Sequence, residues 1–413
     1  MLQKISFCFE PEQSRNNIYY CWKKRERSNN MKLLFASDLS FYYMKPVPDE
    51  GEAKNIMSQT AEIFKQADYS IVNLENVFGN PADYEPIPKS GPNLITDDGY
   101  VKYLEVLHPT AVGMANNHSR DYGDGAMFHT MEMLKTRGYQ VCGVGETVEK
   151  AYEPAVFDNG KLKVHIIAVC ENEFGTATAQ SAGTAGYSLA RVTEAIKKAL
   201  LDGAEPIIYF HGGNEGNPFP SPEKVDLYRH FADLGARAVI AMHTHCPQGY
   251  ELYNGCPIIY SMGNFFFPSE NAGTPTWNVG YMTMLELDEE KEEVEIIPYV
   301  FDMNSHTLLD GERKERFMEY LEELSKPISD QDEMLKLFEA WCTIMGIGSY
   351  LKYINFQQEM YNDVKKVSPV KNLLSCEAHI ELMKHSLRLI YEGRTEEART
   401  LVPYIEQMQT III

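Results

Sequence analysis

The sequence reads as an α/β protein with a C-terminal helical extension, and three observations carry that reading. From Lys32 to Met242, short apolar runs of strand length alternate with stretches of helical periodicity, the pattern of parallel strands joined through helices. Two Asn-Gly dipeptides, Asn159-Gly160 and Asn254-Gly255, sit between apolar runs and mark tight hairpins. After about Ser305 the strand signal stops and amphipathic helical patterns take over.

Taken in order, Lys32 to Ala36 is a strand, Glu52 to Gln66 a helix and Tyr69 to Leu74 a strand. Asp97 to Leu107 is a helix, Ala111 to Met114 a strand, Gly123 to Thr136 a helix and Tyr139 to Val144 a strand. Val156 to Asp158 and Lys163 to Val169 then flank the first Asn-Gly turn as a hairpin. Helix Val192 to Leu201, strand Ile207 to Phe210, helix Glu223 to Leu234 and strand Ala238 to Met242 resume the alternation. The second Asn-Gly turn joins Tyr250 to Tyr253 with Pro257 to Tyr260, and Val279 to Leu287 pairs with Val294 to Phe301. Two sheets with helices outside accommodate both styles. Beyond Ser305 no strand is expected, and the helices break near Pro327, Gly346 to Gly348 and Pro369.

This divides the chain into a leader over residues 1–30, a main domain over 31–304 and a helical appendage over 305–413. The leader is polar and charged, either disordered or the product of a start placed too far upstream, because a clean strand begins only at Met31-Lys32-Leu33-Leu34. At 413 residues the chain can bury one large core plus an appendage, or two domains of ordinary size. With 59 acidic against 38 basic side chains the net charge is -21, which repels phosphate backbones and argues against nucleic acid as a partner. The eight cysteines form no Cys-x-x-Cys pair and no dense framework, as suits thiols in a reducing compartment. No run approaches the roughly 18 apolar residues of a membrane span, and no apolar core follows the basic start as in a signal peptide. The expected location is therefore cytoplasmic.

Chemistry concentrates just beyond the strand ends. His118, His211, His243 and His245 each follow a short apolar run, together with Asp38, Glu75 and Asn117. Imidazole, carboxylate and amide oxygen make up the ligand set of a divalent-metal site, and ligands bind outside the carboxyl ends of strands in open α/β sheets. The pair His243 and His245 leaves its strand at i, i+2, so both rings share one face and can reach two neighbouring ions. The other seven histidines are read as ordinary core or surface residues.

Five ordered motifs then carry a resemblance. Asn73-Leu74-Glu75, Ala115-Asn116-Asn117-His118 with Asp121-Tyr122-Gly123, His211-Gly212-Gly213-Asn214-Glu215, Met242-His243-Thr244-His245 and Tyr260-Ser261-Met262-Gly263-Asn264-Phe265 together resemble the CapA family of capsule and poly-γ-glutamate synthesis proteins, within the calcineurin-like metallophosphatase superfamily. The resemblance runs from about Lys32 to Phe267, over half the chain. It implies a four-layer α/β/β/α sandwich with two divalent ions (Mn, Fe or Zn, identity open) at one end. It also implies that Asp38, Glu75, Asn117, His211, His243 and His245 ligate them, Glu75 as the bridge, and that His118 protonates the leaving group.

Departures from the pattern bear on the chemistry. The first motif reads Asp38-Leu39-Ser40 where the superfamily usually has Asp-x-His, so one ion loses an imidazole. Glu75 stands where the bridge is usually aspartate, which adds a methylene. Glu215 either orients an imidazole or is a solvent-facing loop carboxylate, and Asn264 either holds His243 or His245 or is a turn residue. Asp121 with Arg120 reads as local scaffolding.

The expected function is a metal-dependent hydrolase, a phosphoesterase, linked to capsule or poly-γ-glutamate biosynthesis and acting on an anionic small molecule or polymer. The competing expectation is a non-catalytic accessory subunit assisting polymer synthesis or export. Other chemistries lack their motifs: there is no Gly-x-Ser-x-Gly elbow and no Gly-x-x-x-x-Gly-Lys-Ser/Thr loop. Oligomeric state is not legible.

Overall fold

The computed structural model describes residues 30–44, 47, 49–269, 275–288, 292–354 and 363–413. Apart from Asn30, the leader expected over residues 1–30 lies outside the described residues. No helix among the described residues is long and apolar enough to cross a membrane.

Two sheets form the centre. The first runs His306–Leu308, Glu292–Phe301, Val279–Leu287, Met31–Leu39, Tyr69–Leu74, Ala111–Gly113, Gln140–Cys142 in spatial order. Its strands from Met31–Leu39 to Gln140–Cys142 are parallel, and the rest continue antiparallel. Asn264–Phe266 adds a short parallel pairing to the far end of Met31–Leu39, setting Asn264 beside Asp38. The second sheet runs Tyr250–Tyr253, Cys256–Ile259, Ala238–Met242, Glu205–His211, Lys163–Cys170, Ala155–Asp158, parallel in the middle and closed at each edge by a hairpin. Both Asn-Gly turns fall where expected. At the second, Asn254 and Gly255 have φ of 49° and 84°, the left-handed pair that a two-residue hairpin turn requires.

Side-chain parity along the first strand makes the layers. Met31, Leu33 and Phe35 point into a cluster shared with Ile166, Ile207 and Ile240 of the second sheet. Leu34 and Ala36 face the opposite way, against helices Glu50–Phe64, Lys102–Leu107 and Gly123–Thr136. Helices Leu189–Leu201 and Pro222–Asp233 bury Val192, Ile196, Tyr228 and Phe231 against the second sheet. The result is a four-layer α/β/β/α sandwich.

Local chemistry explains the helix boundaries. Asp49 caps the helix Glu50–Phe64 by accepting the Glu52 N–H at 2.8 Å, and Glu50 and Glu52 complement the positive end of its dipole. Ser221 caps Pro222–Asp233, with Pro222 at the position where a missing N–H costs nothing. The helices beyond Gly311, with Phe317, Leu321, Leu337, Phe338, Leu382 and Met408 buried, belong to the same apolar cluster as the second sheet.

Three local expectations differ from the structure. His306–Leu308 is a strand, where none was expected after Ser305; it is held at the sheet edge by pairing to Tyr299–Phe301. Pro369 lies inside the helix Val364–Ser375 instead of ending one. The stretch read as one strand, Tyr139 to Val144, is two pieces on different sheets, divided at Gly143. Gly143 has φ of 87°, and a Cβ there would meet the Ala115 nitrogen at 2.5 Å, so only glycine makes this switch.

His306 fastens that edge to the core. Its Nδ1 meets the Thr60 hydroxyl at 2.8 Å and its Nε2 the Phe265 carbonyl at 3.0 Å, and burial pushes its pKa down from the ordinary 6.5 to about 4. A ring that stays neutral when folded but takes a proton near 6.5 when unfolded costs stability as pH falls from about 6.5 to about 4, on the order of 3 kcal/mol in all. His306→Phe should be less stable than the native chain at about pH 8, through two lost hydrogen bonds, and the gap should narrow at about pH 4.5. Denaturant midpoints at the two pH values check this, and a constant gap contradicts it.

Candidate metal centre

The two sheets meet with the carboxyl ends of their parallel strands on one rim. Asp38 lies at the end of Met31–Leu39, Glu75 directly after Tyr69–Leu74, and Asn117 and His118 after Ala111–Gly113. Opposite, His211 ends Glu205–His211, and His243 and His245 follow Ala238–Met242. All seven are buried.

The structure brings them together. His211 stands between the sheets, its Nδ1 3.3 Å from Asp38 Oδ1 and its Nε2 3.6 Å from Glu75 Oε1 and 3.1 Å from Asn117 Oδ1. The His243 backbone N–H donates to Asp38 Oδ2 at 3.0 Å. His245 Nε2 and His118 Nε2 lie 3.9 and 4.0 Å from Glu75 Oε1. Glu75 with His211 and His243, and Asp38 with Glu75 and His245, each place one ligand atom per residue within 4.8 Å of one another. Both groups contain Glu75, which is the arrangement a carboxylate bridging two ions requires.

The geometry is held by outer contacts. Asn73 Nδ2 donates to Asp38 Oδ1 at 2.7 Å, and Asn116 donates to Asn73 Oδ1 at 3.1 Å and to the Leu74 carbonyl at 2.8 Å, locking Asp38 and the strand end that carries Glu75. Asn264 Oδ1 contacts His245 Nδ1 at 2.8 Å. The exposed Glu215 nevertheless forms a third convergent group with His243 and His245, again within 4.8 Å. His243 and His245 have φ of 98° and 56°, a region a β-carbon disfavours; such outliers persist where surrounding contacts over-determine them and cluster at functional sites.

Electrostatics single out Glu75. Burial, then the charges of Asp38, Glu215 and Glu173, pushes its carboxyl well above the usual range. Neither of its oxygens has a hydrogen-bond partner. A buried carboxylate left unpaired costs several kcal/mol, at least in order of magnitude, unless a cation compensates it. The donor set around Glu75 therefore fits divalent cations. Burial opposes ionisation of Asp38 as well, but the His211 imidazole brings its pKa below the usual carboxylate value. Burial and the neighbouring His243 hold His211 down to about 4, the neutral form a metal ligand needs. Burial also disfavours charge on His243, yet Glu173 overrides it and lifts that ring to about 9.

Glu173 and Lys89 were not singled out in the sequence. Glu173 Oε1 lies 3.3 Å from His243 Nε2, while His243 Nδ1 has no partner. Glu171-Asn172-Glu173 follows the strand Lys163–Cys170, the same class of position as the other candidates, so the signal was present. Asp121 does hold its own loop, accepting the Leu94 N–H at 2.6 Å, and it also meets His118 Nδ1 at 2.6 Å. Lys89 Nζ contacts the same imidazole nitrogen at 3.1 Å and pairs with Asp121. Burial and then Lys89 lower the His118 pKa, with Asp121 opposing them. The described cysteines are buried and form no disulfide, and burial pushes the Cys246 thiol up to about 12.

The fold is thus a four-layer α/β sandwich with carboxylate, amide and imidazole groups gathered on the rim of both sheets, a donor set that fits divalent cations. Comparison with known proteins gives the family: the profile of the bacterial capsule synthesis protein PGA_cap matches residues 26–269, and the chain belongs to that family. It is 28% identical over 236 residues to the PGA biosynthesis protein CapA of Bacillus subtilis (strain 168), covering 54% of this chain and 60% of that protein. It is 23% identical over 255 residues to the capsule biosynthesis protein CapA of Bacillus anthracis, covering 59% and 61%. The match thus spans about three-fifths of the length of these curated relatives. Among solved structures, the 5'-nucleotidase from Candida albicans SC5314 is similar with a TM-score of 0.39 and 9% identity, over 74% of this chain and 56% of that one. TT1561 of Thermus thermophilus gives 0.34 and 14%, over 64% and 98%.

If Glu75 is costly without a cation, removing its charge separates stability from binding. Glu75→Gln should raise or preserve the thermal midpoint of metal-stripped protein while abolishing most of the rise produced by added Mn2+ or Zn2+. For the native chain that rise corresponds to about 2.7 kcal/mol at an ion concentration about a hundredfold above Kd. Thermal melts with and without metal test it; an undiminished rise in the variant contradicts the reading.

Proposed function

We propose that this protein is a metal-dependent hydrolase of the phosphoesterase type, working in capsule or poly-γ-glutamate biosynthesis. The observation that carries the reading is Glu75, buried with both oxygens unpartnered and shared by two convergent ligand groups. In this reading Asp38, Glu75 and His245 hold one divalent ion, and Glu75, Asn117, His211 and His243 the other. When bound, such ions polarise a phosphoryl oxygen and lower the pKa of the attacking water. Mn, Fe and Zn all accept this oxygen and nitrogen set.

The chain's own groups do the rest. Asn73 and the His243 N–H fix the two oxygens of Asp38, so its orientation is set before substrate arrives. His118 presents Nε2 on the Glu75 side, and the 2.6 Å contact with Asp121 holds the ring through Nδ1. In the protonated ring, that Nε2 proton is placed for delivery to a leaving oxygen. Asp121 favours this form, whereas burial and Lys89 weaken the hold on the proton and so make its release easier. The family supplies the biological setting, and an anionic small molecule or polymer is the substrate class that two cations attract.

One observation favours a second reading, a non-catalytic subunit assisting polymer synthesis or export. Ser40 stands in the place of the usual first-motif imidazole, and its buried hydroxyl has no partner, which leaves one ion with fewer protein ligands. A relative in Mycobacterium tuberculosis, 25% identical over 246 residues, is named a probable polyglutamine synthesis accessory protein.

Assays on generic phosphomonoesters and phosphodiesters, with and without added Mn2+, distinguish the two. His118→Ala should lower kcat by about 10²–10⁴ while leaving metal uptake intact. His243→Ala should lose turnover together with part of the bound metal. Equal residual turnover in the native chain and both variants would assign that activity to contamination and favour the accessory role.

A further inference from the structure

The helices beyond the family match, which ends at residue 269, touch the loop that orients His243. Loop residues Glu171, Asn172 and Glu173 leave the second sheet at the carboxyl end of Lys163–Cys170 and are gripped from the other side by helices Val364–Ser375 and Glu377–Glu392. Glu377 accepts both the Asn172 backbone N–H, at 2.9 Å, and the Asn172 side-chain amide, at 2.6 Å. The Asn372 amide donates to Glu173 Oε2 at 3.3 Å, and the Lys371 ammonium to the Glu173 carbonyl at 2.5 Å. The other carboxylate oxygen of Glu173 is the one facing His243 Nε2 at 3.3 Å.

A carboxylate on one imidazole nitrogen fixes the ring plane and leaves the other nitrogen for a cation; such outer partners typically change metal affinity about 10–100-fold. Here the other nitrogen, Nδ1 of His243, is buried without a partner, and His243 converges with Glu75 and His211. A neighbouring buried group points the same way. Lys224 pairs with Glu171 at 2.6 Å and with Glu381 at 3.3 Å, so a single ammonium joins this loop to the second of the two helices. Breaking one partner of a buried pair leaves an uncompensated charge, which makes the join hard to undo.

We propose that the C-terminal helices set the affinity of the ion held by Glu75, His211 and His243, with Glu173 as the positioning residue for His243 and with Asn372 and Glu377 fixing Glu173 from outside the family-matched region. This rests on reading the cluster as a metal centre. The helices then serve as a structural part of the site, and their loss loosens one ion of the pair.

The test is calorimetric titration of metal-stripped full-length protein with Mn2+, comparing the native chain with Glu173→Gln and Glu377→Gln, alongside thermal melts to confirm folding. Both changes keep side-chain size. Glu173→Gln should weaken one equivalent about 10–100-fold and leave the other unchanged. Glu377→Gln, which touches no proposed ligand, should weaken the same equivalent several-fold. Native-like affinities in both folded variants, or an equal loss from both equivalents, overturn the inference while the native chain still binds metal. If the native chain takes up no Mn2+, the metal-centre reading itself fails, and this inference with it. Should Glu173→Gln fail to fold, the Glu377→Gln titration alone decides.

Discussion

A buried carboxyl whose oxygens have no hydrogen-bond partner is the constraint around which this structure is arranged. Glu75 is fully buried, neither oxygen is hydrogen-bonded, and burial with the charges of Asp38, Glu215 and Glu173 pushes its carboxyl well above the usual range, so ionising it is costly. Around it the fold invests in rigidity. Asn73, Asn116 and Asn264 spend their amides on Asp38, on the strand end and on His245, so that these side chains are already ordered. A rim that buries an unpartnered carboxyl and fixes its neighbours in advance is the signature of a site kept for function at a cost in stability.

The two-sheet packing is what makes the rim possible. No single sheet carries the whole set: Asp38, Glu75, Asn117 and His118 come from the first, and His211, His243 and His245 from the second. Parity along each strand seals the apolar layer between them, from Met31, Leu33 and Phe35 to Ile166 and Ile207. The alignment is held at the site itself by the His243 N–H on Asp38, a bond between sheets made by a residue whose φ is 98°. Backbone strain and inter-sheet registration therefore coincide in one residue, and a change that relaxed the first would release the second.

Most of this was legible in the chain because strand ends are easy to read. Alternating apolar runs located the parallel strands, Asn-Gly located the hairpins, and chemistry-bearing residues stood just after those runs. What could not be read was what depends on neighbours distant in sequence. His306–Leu308 is too short to show a period and forms a strand only because Tyr299–Phe301 offers it an edge. Pro369 sits within a helix, where local propensity argues for a break. Glu173 occupied the right kind of position, but nothing local distinguishes a carboxylate that will meet an imidazole far along the chain from one facing solvent. Asp121 was likewise visible only as scaffolding until the loop carrying Lys89 closed over it.

Glutamate at position 75 and serine at position 40, both departures from the pattern that the sequence motifs resemble, are best understood as one adjustment. An extra methylene carries the carboxylate further from its strand end, toward the region that His118, His211 and His245 share; their nearest nitrogens lie 3.6 to 4.0 Å from a single oxygen of Glu75. With Ser40 in place of an imidazole, an ion beside Asp38 would have one strong donor fewer, and a longer carboxylate near the centre of the ring would partly make up the deficit. The remaining asymmetry falls between the two groups that share Glu75: one has His211 and His243, with Glu173 against His243, and the other has Asp38 and His245, while Glu215 converges with both His243 and His245 from the exposed loop. Unequal donor sets give unequal affinities. In a centre that held two ions, the His243 side would accordingly be the tighter of the two, and the ion on the Asp38 side would be the one whose occupancy responded to metal supply.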